Sequence, residues 1–433
     1  MEYEALRHKI EKIILGNKVQ GYSKSYNYHF TYIKPSANFY PFQFFWDTCF
    51  HVFILVALNK LELAKKNMES LFAMQDKDGF VGHILYWNSI FPSRITDIFQ
   101  SRPGLNKYLF RSHMSNLIQP PLAAHATLRI YEASGDKEFL KRMLPKLKKY
   151  YSWLINFRDF DNDHLITSIS YFESGMDWKP SYDQLLGFPE QKANWKLFWK
   201  VVYNDFLNFR ADYDLNKIKK KNHFLCKDAG INTLYARNLH ALSKICKVVD
   251  DPDHHFYYKQ SVKVTDSILK LMYNEQDCAF YDIQGGTNKH LNVITPTILY
   301  PIILDSIPKS IKDEIVKQHF FDQETFYTRY PIPSVAVNST AFNPNEKLYI
   351  WRGGTWIVHN WVMHQFLLEE NYYKEAQRLI TSILQLIRKS GFREYYNPLT
   401  GEGYGAKDFT WSGLVLDMIQ LQEGITPKES RFI

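Results

Sequence analysis

Two stretches of this sequence are predicted to form helices that are apolar on nearly every side. One is CFHVFILVAL at 49–58, and the other is TWIVHNWVMHQFLL at 355–368. A helix of this composition has to be covered by neighbours all round, because an uncovered side would leave apolar side chains in water. The sequence therefore predicts an inner layer of helices that is enclosed by other parts of the chain.

Amphipathic helices are predicted to surround this inner layer. The clearest covers 372–389, where Leu379, Ile383 and Ile387 recur at three- and four-residue spacing and Gly391 follows the last turn. Similar signals, together with a helix at the N-terminus, predict helices near 48–59, 61–75, 119–135, 137–157, 230–249, 254–275, 308–319, 355–370 and 408–422.

Strand-like pieces are few and do not alternate with the helices. FYDI at 280–283 and YPIPSVAV at 330–337 fall between helices instead. Paired helices in an inner and an outer ring predict an all-α fold, an α/α toroid. A helical solenoid is the alternative, although no self-similar period of roughly 30 to 50 residues is found. We expect one domain over 1–433, with a loop-rich insertion around 160–228.

The composition is that of a globular chain. Hydrophobic residues make up 45% and charged residues 23% of 433 residues, and no apolar run reaches the roughly 18 residues that span a bilayer. The net charge is +8, but the densest basic run, NKIKKKNH at 216–223, contains no aromatic residue, so no nucleic-acid partner is expected. An amphipathic N-terminus and four cysteines without CxxC spacing predict a cytoplasmic protein of unknown oligomeric state.

Neither a cofactor nor a metal is predicted. GEGYG at 401–405 lacks the preceding strand and the full spacing of the dinucleotide fingerprint. His359 and His364 are five residues apart, so they do not share a helix face as the zinc-binding pair of HExxH does. The chemistry is therefore expected to rest on side chains alone.

The connections between helices are unusually rich in Trp, Asp, Glu, Arg and Gly. Loops on a helical scaffold are where functional residues are expected, and aromatic rings, which total 70 of 433 residues, suit the flat faces of sugars. The four connections that stand out are YPFQFFWDTCFH at 40–51, YFESGMDWKPSYD at 171–183, YIWRGGTW at 349–356, and GFREYYNPLTGEGYG at 391–405, which KDFTWSG follows.

Carboxyl groups accompany the rings in these loops. Glycoside hydrolysis needs one carboxylic acid to protonate the leaving oxygen and one carboxylate to activate water or to attack. The candidates are Glu173, Asp177 and Asp183 in one loop and Glu394 and Glu402 in another. The spacing alone does not show whether these loops meet.

The strings and their order resemble glycoside hydrolase family 63, particularly its small members acting on mannosylglycerate and glucosylglycerate, and more weakly the trehalases. The likeness extends from about Pro35 to Met418 and includes FFWDTCFH, QDKDGFVGHI, QPPLAAHA, ESGMD, YPIPSVAV, WRGGTW, EYYNPLTGEG and FTWSG. The resemblance implies an (α/α)6 barrel that hydrolyses a small α-glycoside with inversion, such as glucosyl- or mannosylglycerate or a short α-glucoside such as trehalose.

The resemblance also implies roles for single residues. Asp177, the last residue of ESGMD, matches the general acid, and Glu394 matches the general base, with Glu402 as the alternative. Trp46 and Asp47 match the pair that holds the sugar, although Asp47 could instead cap a helix. The residues assigned to substrate binding are Tyr40, Phe45, Trp46, Asp47, Gln119, Gly175, Trp178, Trp351, Arg352, Gly353, Trp356, Glu402 and Trp411.

Two departures from the family pattern border the expected pocket. Trp178 and Lys179 follow the acid where the family usually has Asn or Asp and then Ser, and GTWIVHNW replaces GPVWPNINW. They bear on the identity of the substrate more than on the reaction. Two other classes stay open, a sugar epimerase, which would need facing His residues, and a non-catalytic sugar-binding protein, which would not need both carboxyl groups.

Overall fold

The computed structural model describes residues 2–87, 99, 114–189, 191–221 and 223–425, and most of its regular structure is helical. Numbered along the described residues, the α-helices are α1 (Tyr3–Gly16), α2 (Phe45–Ala57), α3 (Leu61–Ala73), α4 (Ala123–Ser134), α5 (Lys137–Arg158), α6 (Trp195–Arg210), α7 (Leu215–Lys221), α8 (Ala229–Val248), α9 (His254–Met272), α10 (Lys309–Ile315), α11 (Ile357–Glu369), α12 (Tyr373–Ser390) and α13 (Leu414–Gln422). None of the helices in the described residues is long and apolar enough to cross a membrane.

Six elements pack in a ring that closes on itself. In order they are α2, α4, α8, the 3-10 helix Pro296–Ile303, α11 and α13, which returns to α2. Twelve of the 13 residues of α2 and twelve of the 13 of α11 are buried, so the helices predicted to be apolar on every side do lie inside. The fold is therefore a helical toroid.

A second set of helices covers the ring from outside. α3 packs on α2, α5 on α4, α9 on α8, α10 on the 3-10 helix and α12 on α11. In α12, Leu379 and Ile383 are buried while Gln377 and Thr381 are exposed, as the three- and four-residue spacing predicts. Burying each such aliphatic side chain contributes about 1.5–3 kcal/mol, which holds the outer helix against the inner one.

The strands are short and antiparallel, and they connect or cover the helices. They are β1 (Lys18–Ser23) with β2 (Tyr28–Ile33), β3 (Gln43–Phe44) with β4 (Ile84–Leu85), β5 (Cys226–Lys227) with β8 (Asp282–Gln284) and β9 (His290–Leu291), β6 (Tyr273–Asn274) with β7 (Ala279–Phe280), and β10 (Arg393–Tyr396) with β11 (Gly403–Lys407). The prediction of strand at 280–283 is confirmed in part, because β7 and β8 include Phe280, Asp282 and Ile283.

Two segments differ from the sequence predictions. YPIPSVAV at 330–337 forms no strand: its only ladder contact in the described residues is a single bridge between Pro333 and Thr355, and Ala336 donates its N–H to Ile294 instead. The segment around 160–228, predicted to be loop-rich, also contains α6 and α7.

Candidate active site

One cavity lies where the amino ends of several inner helices meet. Trp46 and Asp47 belong to the first turn of α2, Trp356 immediately precedes α11, and Trp411 lies in the 3-10 helix Thr410–Gly413 that leads into α13. The cavity encloses about 400 Å³ of empty space, its open mouth included. Its lining consists of Pro35, Tyr40, Phe44, Trp46, Asp47, Gln119, Gly175, Asp177, Ile350, Trp351, Trp356, Glu394, Phe409 and Trp411.

Indole rings form the walls of the cavity. The rings of Trp351 and Trp356 are stacked, with centroids 3.6 Å apart and planes 5° apart, and Tyr395 stacks behind Trp356 at 4.9 Å. Trp46 meets Trp411 edge to face at 5.1 Å. Rings fixed in this way lose little side-chain entropy on binding, and an indole with one free face suits the carbon face of a sugar ring. Trp356 has both faces covered, by Trp351 and Tyr395, and therefore supports the wall from behind.

The loop that carries Asp177 is shaped by its neighbours on both sides. Gly175 has φ +71°, and a Cβ there would lie 2.3 Å from the Trp46 ring, so only glycine lets the loop approach this ring. Beyond Asp177, the N–H of Lys179 donates to the carbonyl of Met176 at 3.1 Å and closes a tight turn. Trp178 has φ +68° within that turn, a conformation that costs a non-glycine residue about 1–2 kcal/mol.

The other two carboxyl groups of this loop serve the structure. Glu173 is fully buried and binds Arg158 through both oxygens, at 2.6 and 2.9 Å, and it also accepts the N–H groups of Ile118 and Ile169. Asp183 is likewise buried and accepts hydrogen bonds from Arg352 at 2.6 Å and from Tyr171 at 2.8 Å. Of the three candidates in the loop, Asp177 alone lines the cavity.

Glu394 reaches the cavity through an irregular strand. The register of β10 against β11 shifts between Arg393 and Tyr395, and such a bulge redirects the side chain that it contains. The two carboxylate oxygens accept hydrogen bonds from the Tyr40 hydroxyl at 2.7 Å and from the Ala406 N–H at 2.8 Å. Both donors orient the carboxylate and stabilise its ionised form.

Asp47 is the third carboxyl group of the cavity and has an unusual protonation state. Burial is the main cause that raises its pKa to about 8; the nearby Glu394 and Asp177 carboxyl groups contribute to this shift, and the neighbouring Trp411 indole opposes it. Asp47 is therefore largely protonated at neutral pH, which lets it donate a hydrogen bond as well as accept one. The N-cap position of α2 is occupied by Phe44, so Asp47 lies inside the first turn of the helix.

Five residues predicted to contact substrate do not line this cavity. Phe45 turns into the core against Tyr150, and Arg352 is held by Asp183. The other three are held elsewhere by their own contacts: Trp178 packs between Phe198 and Tyr349, Gly353 lies against the backbone of Asn343, and Glu402 is exposed beside Tyr404.

The cavity also contains four residues that the sequence analysis did not assign. They are Pro35, Phe44, Ile350 and Phe409. Phe44 and Ile350 belong to the strings at 40–51 and 349–356, and Phe409 lies two positions before Trp411. Neighbouring residues of these three were assigned from the sequence, so the same strings could have identified them. Gln119 was assigned, and its side-chain oxygen accepts the N–H of Trp46 at 3.0 Å, which fixes the start of α2 beside the cavity.

A helical toroid whose inner helices end at an aromatic cavity with several carboxyl groups is suited to carbohydrate chemistry, and the chain is a glycoside hydrolase. It belongs to the family described as the mannosylglycerate hydrolase MGH1-like glycoside hydrolase domain, whose profile matches residues 40–412. The resemblance found in the sequence is thereby confirmed. The classes of epimerase and non-catalytic binding protein are set aside by this membership.

Relatives with assigned activities match over most of their length. The chain is 25% identical to the mannosylglycerate hydrolase of Thermus thermophilus, over 87% of this chain and 94% of that protein. It is 23% identical to the glucosylglycerate hydrolase of Mycolicibacterium hassiacum, over 88% and 92%.

Solved structures show the same fold. The family 63 mannosylglycerate hydrolase of Thermus thermophilus, in complex with Tris, has a TM-score of 0.80 at 24% identity and covers 96% of this chain and 100% of its own. Neutral trehalase from Saccharomyces cerevisiae is more distant, with a TM-score of 0.60 at 14% identity, covering 95% and 79%.

Proposed function

We propose that this enzyme is an inverting α-glycosidase in which Asp177 is the general acid and Glu394 the general base. The observation that carries the proposal is that these two carboxyl groups, 217 positions apart in the sequence, line one cavity walled by indole rings. Inversion requires the two groups to act from opposite faces of the sugar with a water molecule beside the base. Asp177 lies in a loop and Glu394 in β10, so the two groups enter the cavity from separate segments of the chain, which suits this arrangement.

In the proposed reaction the proton of Asp177 passes to the glycosidic oxygen as the bond to the anomeric carbon breaks. A water molecule attacks that carbon from the other face and gives its proton to Glu394. The hydrogen bonds from Tyr40 and Ala406 support this role, because a base has to be ionised before it can accept a proton. Glu402, which is exposed beside Tyr404, is the less suitable base.

We propose a small α-glycoside as the substrate, with a mannosyl- or glucosylglycerate first and trehalose or another short α-glucoside next. The relatives named above support the glycerate compounds. The described lining contains no Lys or Arg side chain to attract a carboxylate, so neutral aglycones belong in any test. We further propose that the toroid is an (α/α)6 barrel of one domain over 1–433; a cytoplasmic location stays a prediction from the sequence.

The test is incubation of the purified enzyme with mannosylglycerate, glucosylglycerate, trehalose and short α-glucobioses, followed by detection of free hexose. Proton NMR during the first turnovers identifies the anomer that is released. We expect the β-anomer, because water attacks from the face opposite the leaving group. On mannosylglycerate or glucosylglycerate, whose leaving group is not a sugar, release of the α-anomer first would refute inversion. Absence of hexose from every substrate would refute the proposed substrate class.

A further inference from the structure

Lys179, two positions after the proposed acid, is buried between two carboxylates. The ammonium of Lys179 lies 2.5 Å from an oxygen of Asp228 and 2.7 Å from one of Asp282, and all three side chains are at most 2% exposed. Its third hydrogen bond goes to the hydroxyl of Thr297 at 2.7 Å. All three donors of the ammonium are thus used inside the protein, so this lysine is not available to bind a substrate.

The two carboxylates are anchored independently of the lysine. Asp228 begins α8 and accepts the N–H of Ile231 at 2.7 Å, while Asp282, in β8, accepts the N–H of Ala229 at 2.8 Å. Burial disfavours the charge of Lys179, but the two carboxylates outweigh it and keep the pKa of Lys179 above its ordinary value. The lysine is therefore a fixed cation that joins its own loop to the inner helix α8.

The loop between this anchor and the cavity is very short. The hydrogen bond from the Lys179 N–H to the Met176 carbonyl encloses only Asp177 and Trp178. Trp178 holds an unfavourable left-handed backbone, and its ring packs against Phe198 and edge to face against Tyr349. A backbone conformation of this kind persists only where the surroundings fix it on both sides.

We propose that Lys179, clamped between Asp228 and Asp282, is a positioning residue that holds Asp177 in line with the glycosidic oxygen. The proposal rests on the assignment of Asp177 as the general acid. Without the ammonium, the end of the turn loses its tether to Asp228, Asp282 and Thr297, and buried carboxyl groups are left without their cation. A displacement of the acid by about 1 Å is enough to lower the rate about 10²-fold.

The test compares two leaving groups in Lys179→Met, which keeps the side-chain length and removes the charge. Mannosylglycerate and glucosylglycerate expel an alkoxide that needs the proton of the acid. The α-mannosyl and α-glucosyl fluorides expel fluoride, which leaves with the electron pair of the C–F bond and needs no such proton, while water still gives its proton to Glu394. We expect kcat to fall about 10²-fold on the glycerates, with KM and fluoride turnover changed less than about threefold.

Two further variants keep the outcome decisive. Lys179→Met combined with Asp282→Asn removes the ammonium together with one carboxylate and serves if the single variant does not fold; we expect the same selective loss. Arg129→Met removes the cation of another buried pair, with Asp417 at 3.0 Å, outside the cavity lining. It is expected to lower turnover of glycerates and fluorides by the same factor.

The outcomes separate this proposal from the one on which it rests. Asp177→Asn should lose turnover of the glycerates and keep turnover of the fluorides. If it does not, the assignment of Asp177 as the acid fails, and the role of Lys179 fails with it. The other case is that Asp177→Asn behaves as expected while both lysine variants lose turnover of glycerates and fluorides equally, or lose turnover of neither. In that case the acid assignment stands and the positioning role of Lys179 is refuted.

Discussion

Asp47 gives a stability prediction whose size follows from its pKa. The carboxyl group is protonated in the folded protein up to a pH of about 8, whereas its ordinary value is 3.8. Between these values unfolding releases one proton, so the free energy of unfolding falls by about 1.4 kcal/mol for each unit that the pH rises. From about pH 5 to about pH 7 this group alone lowers the stability of the wild type by about 3 kcal/mol.

Asp47→Asn removes this titration and keeps the size of the side chain. Urea unfolding, followed by tryptophan fluorescence at both pH values, gives the free energy of unfolding of each protein. All other groups are shared, so the difference between variant and wild type should move in favour of the variant by about 3 kcal/mol as the pH rises. Asp305→Asn is the control, because Asp305 is 76% exposed, and its difference should stay constant. An equal difference for Asp47→Asn at both pH values would refute the protonated state of Asp47.

Three other predictions concern the proposed chemistry. In steady-state kinetics, Asp177→Asn and Glu394→Gln should lower turnover of the glycerate glycoside by about 10²–10⁴-fold, with affinity changed less than about tenfold. Glu402→Gln should lower turnover less. A larger loss for Glu402→Gln than for Glu394→Gln would make Glu402 the base. A structure with bound substrate should place the carboxyl groups of Asp177 and Glu394 roughly 6.5–9.5 Å apart, whereas about 5 Å would indicate retention. Gly405→Ala should lower kcat at least about tenfold, because its Cβ would lie 2.3 Å from the Glu394 carboxylate at a φ of +64°, and unchanged kcat would contradict the proposed base.

The helices of the toroid could be predicted because burial leaves a clear mark on their sequences. α2 and α11 are apolar all round and lie inside, and α12 is amphipathic and lies outside. α6 escaped prediction because Trp195 and Trp199, which would be assigned to a buried face, are 66% and 59% exposed. Large aromatic residues on the solvent side hide the period on which such a prediction depends.

The strand predicted at 330–337 is wrong although the burial of the segment was read correctly. Its Val, Ile and Pro residues do report burial, but Pro331 and Pro333 have no N–H to donate to a ladder. The N–H groups of Ser334 and Ala336 go to carbonyls of Gly354 and Ile294, which lie in different connections. Apolar composition therefore indicated where the segment lies and not which backbone pattern it adopts.

Residues of the cavity could be assigned from the strings around them, whereas their partners could not. Arg352 stands among tryptophans that line the cavity, yet it pairs with Asp183, 169 positions away. Lys179 lies two positions after the proposed acid, and it pairs with Asp228, the N-cap of α8, and with Asp282 in β8. Such pairs depend on which loops the ring of helices brings together. A single sequence does not show which distant residues lie close together in the fold.

The charge of the cavity connects the three carboxyl groups to the proposed reaction. Neighbouring ionised carboxylates raise each other's pKa, which disfavours three negative charges in one cavity. The Tyr40 and Ala406 donors favour the charge on Glu394, and Asp47 stays protonated up to a pH of about 8. In the transition state the sugar ring acquires positive charge as the glycosidic bond breaks. The Glu394 carboxylate and the negative faces of the indole rings both attract this charge. The same groups that crowd negative charge into the cavity therefore stabilise the transition state more than the neutral substrate, which is the condition for catalysis.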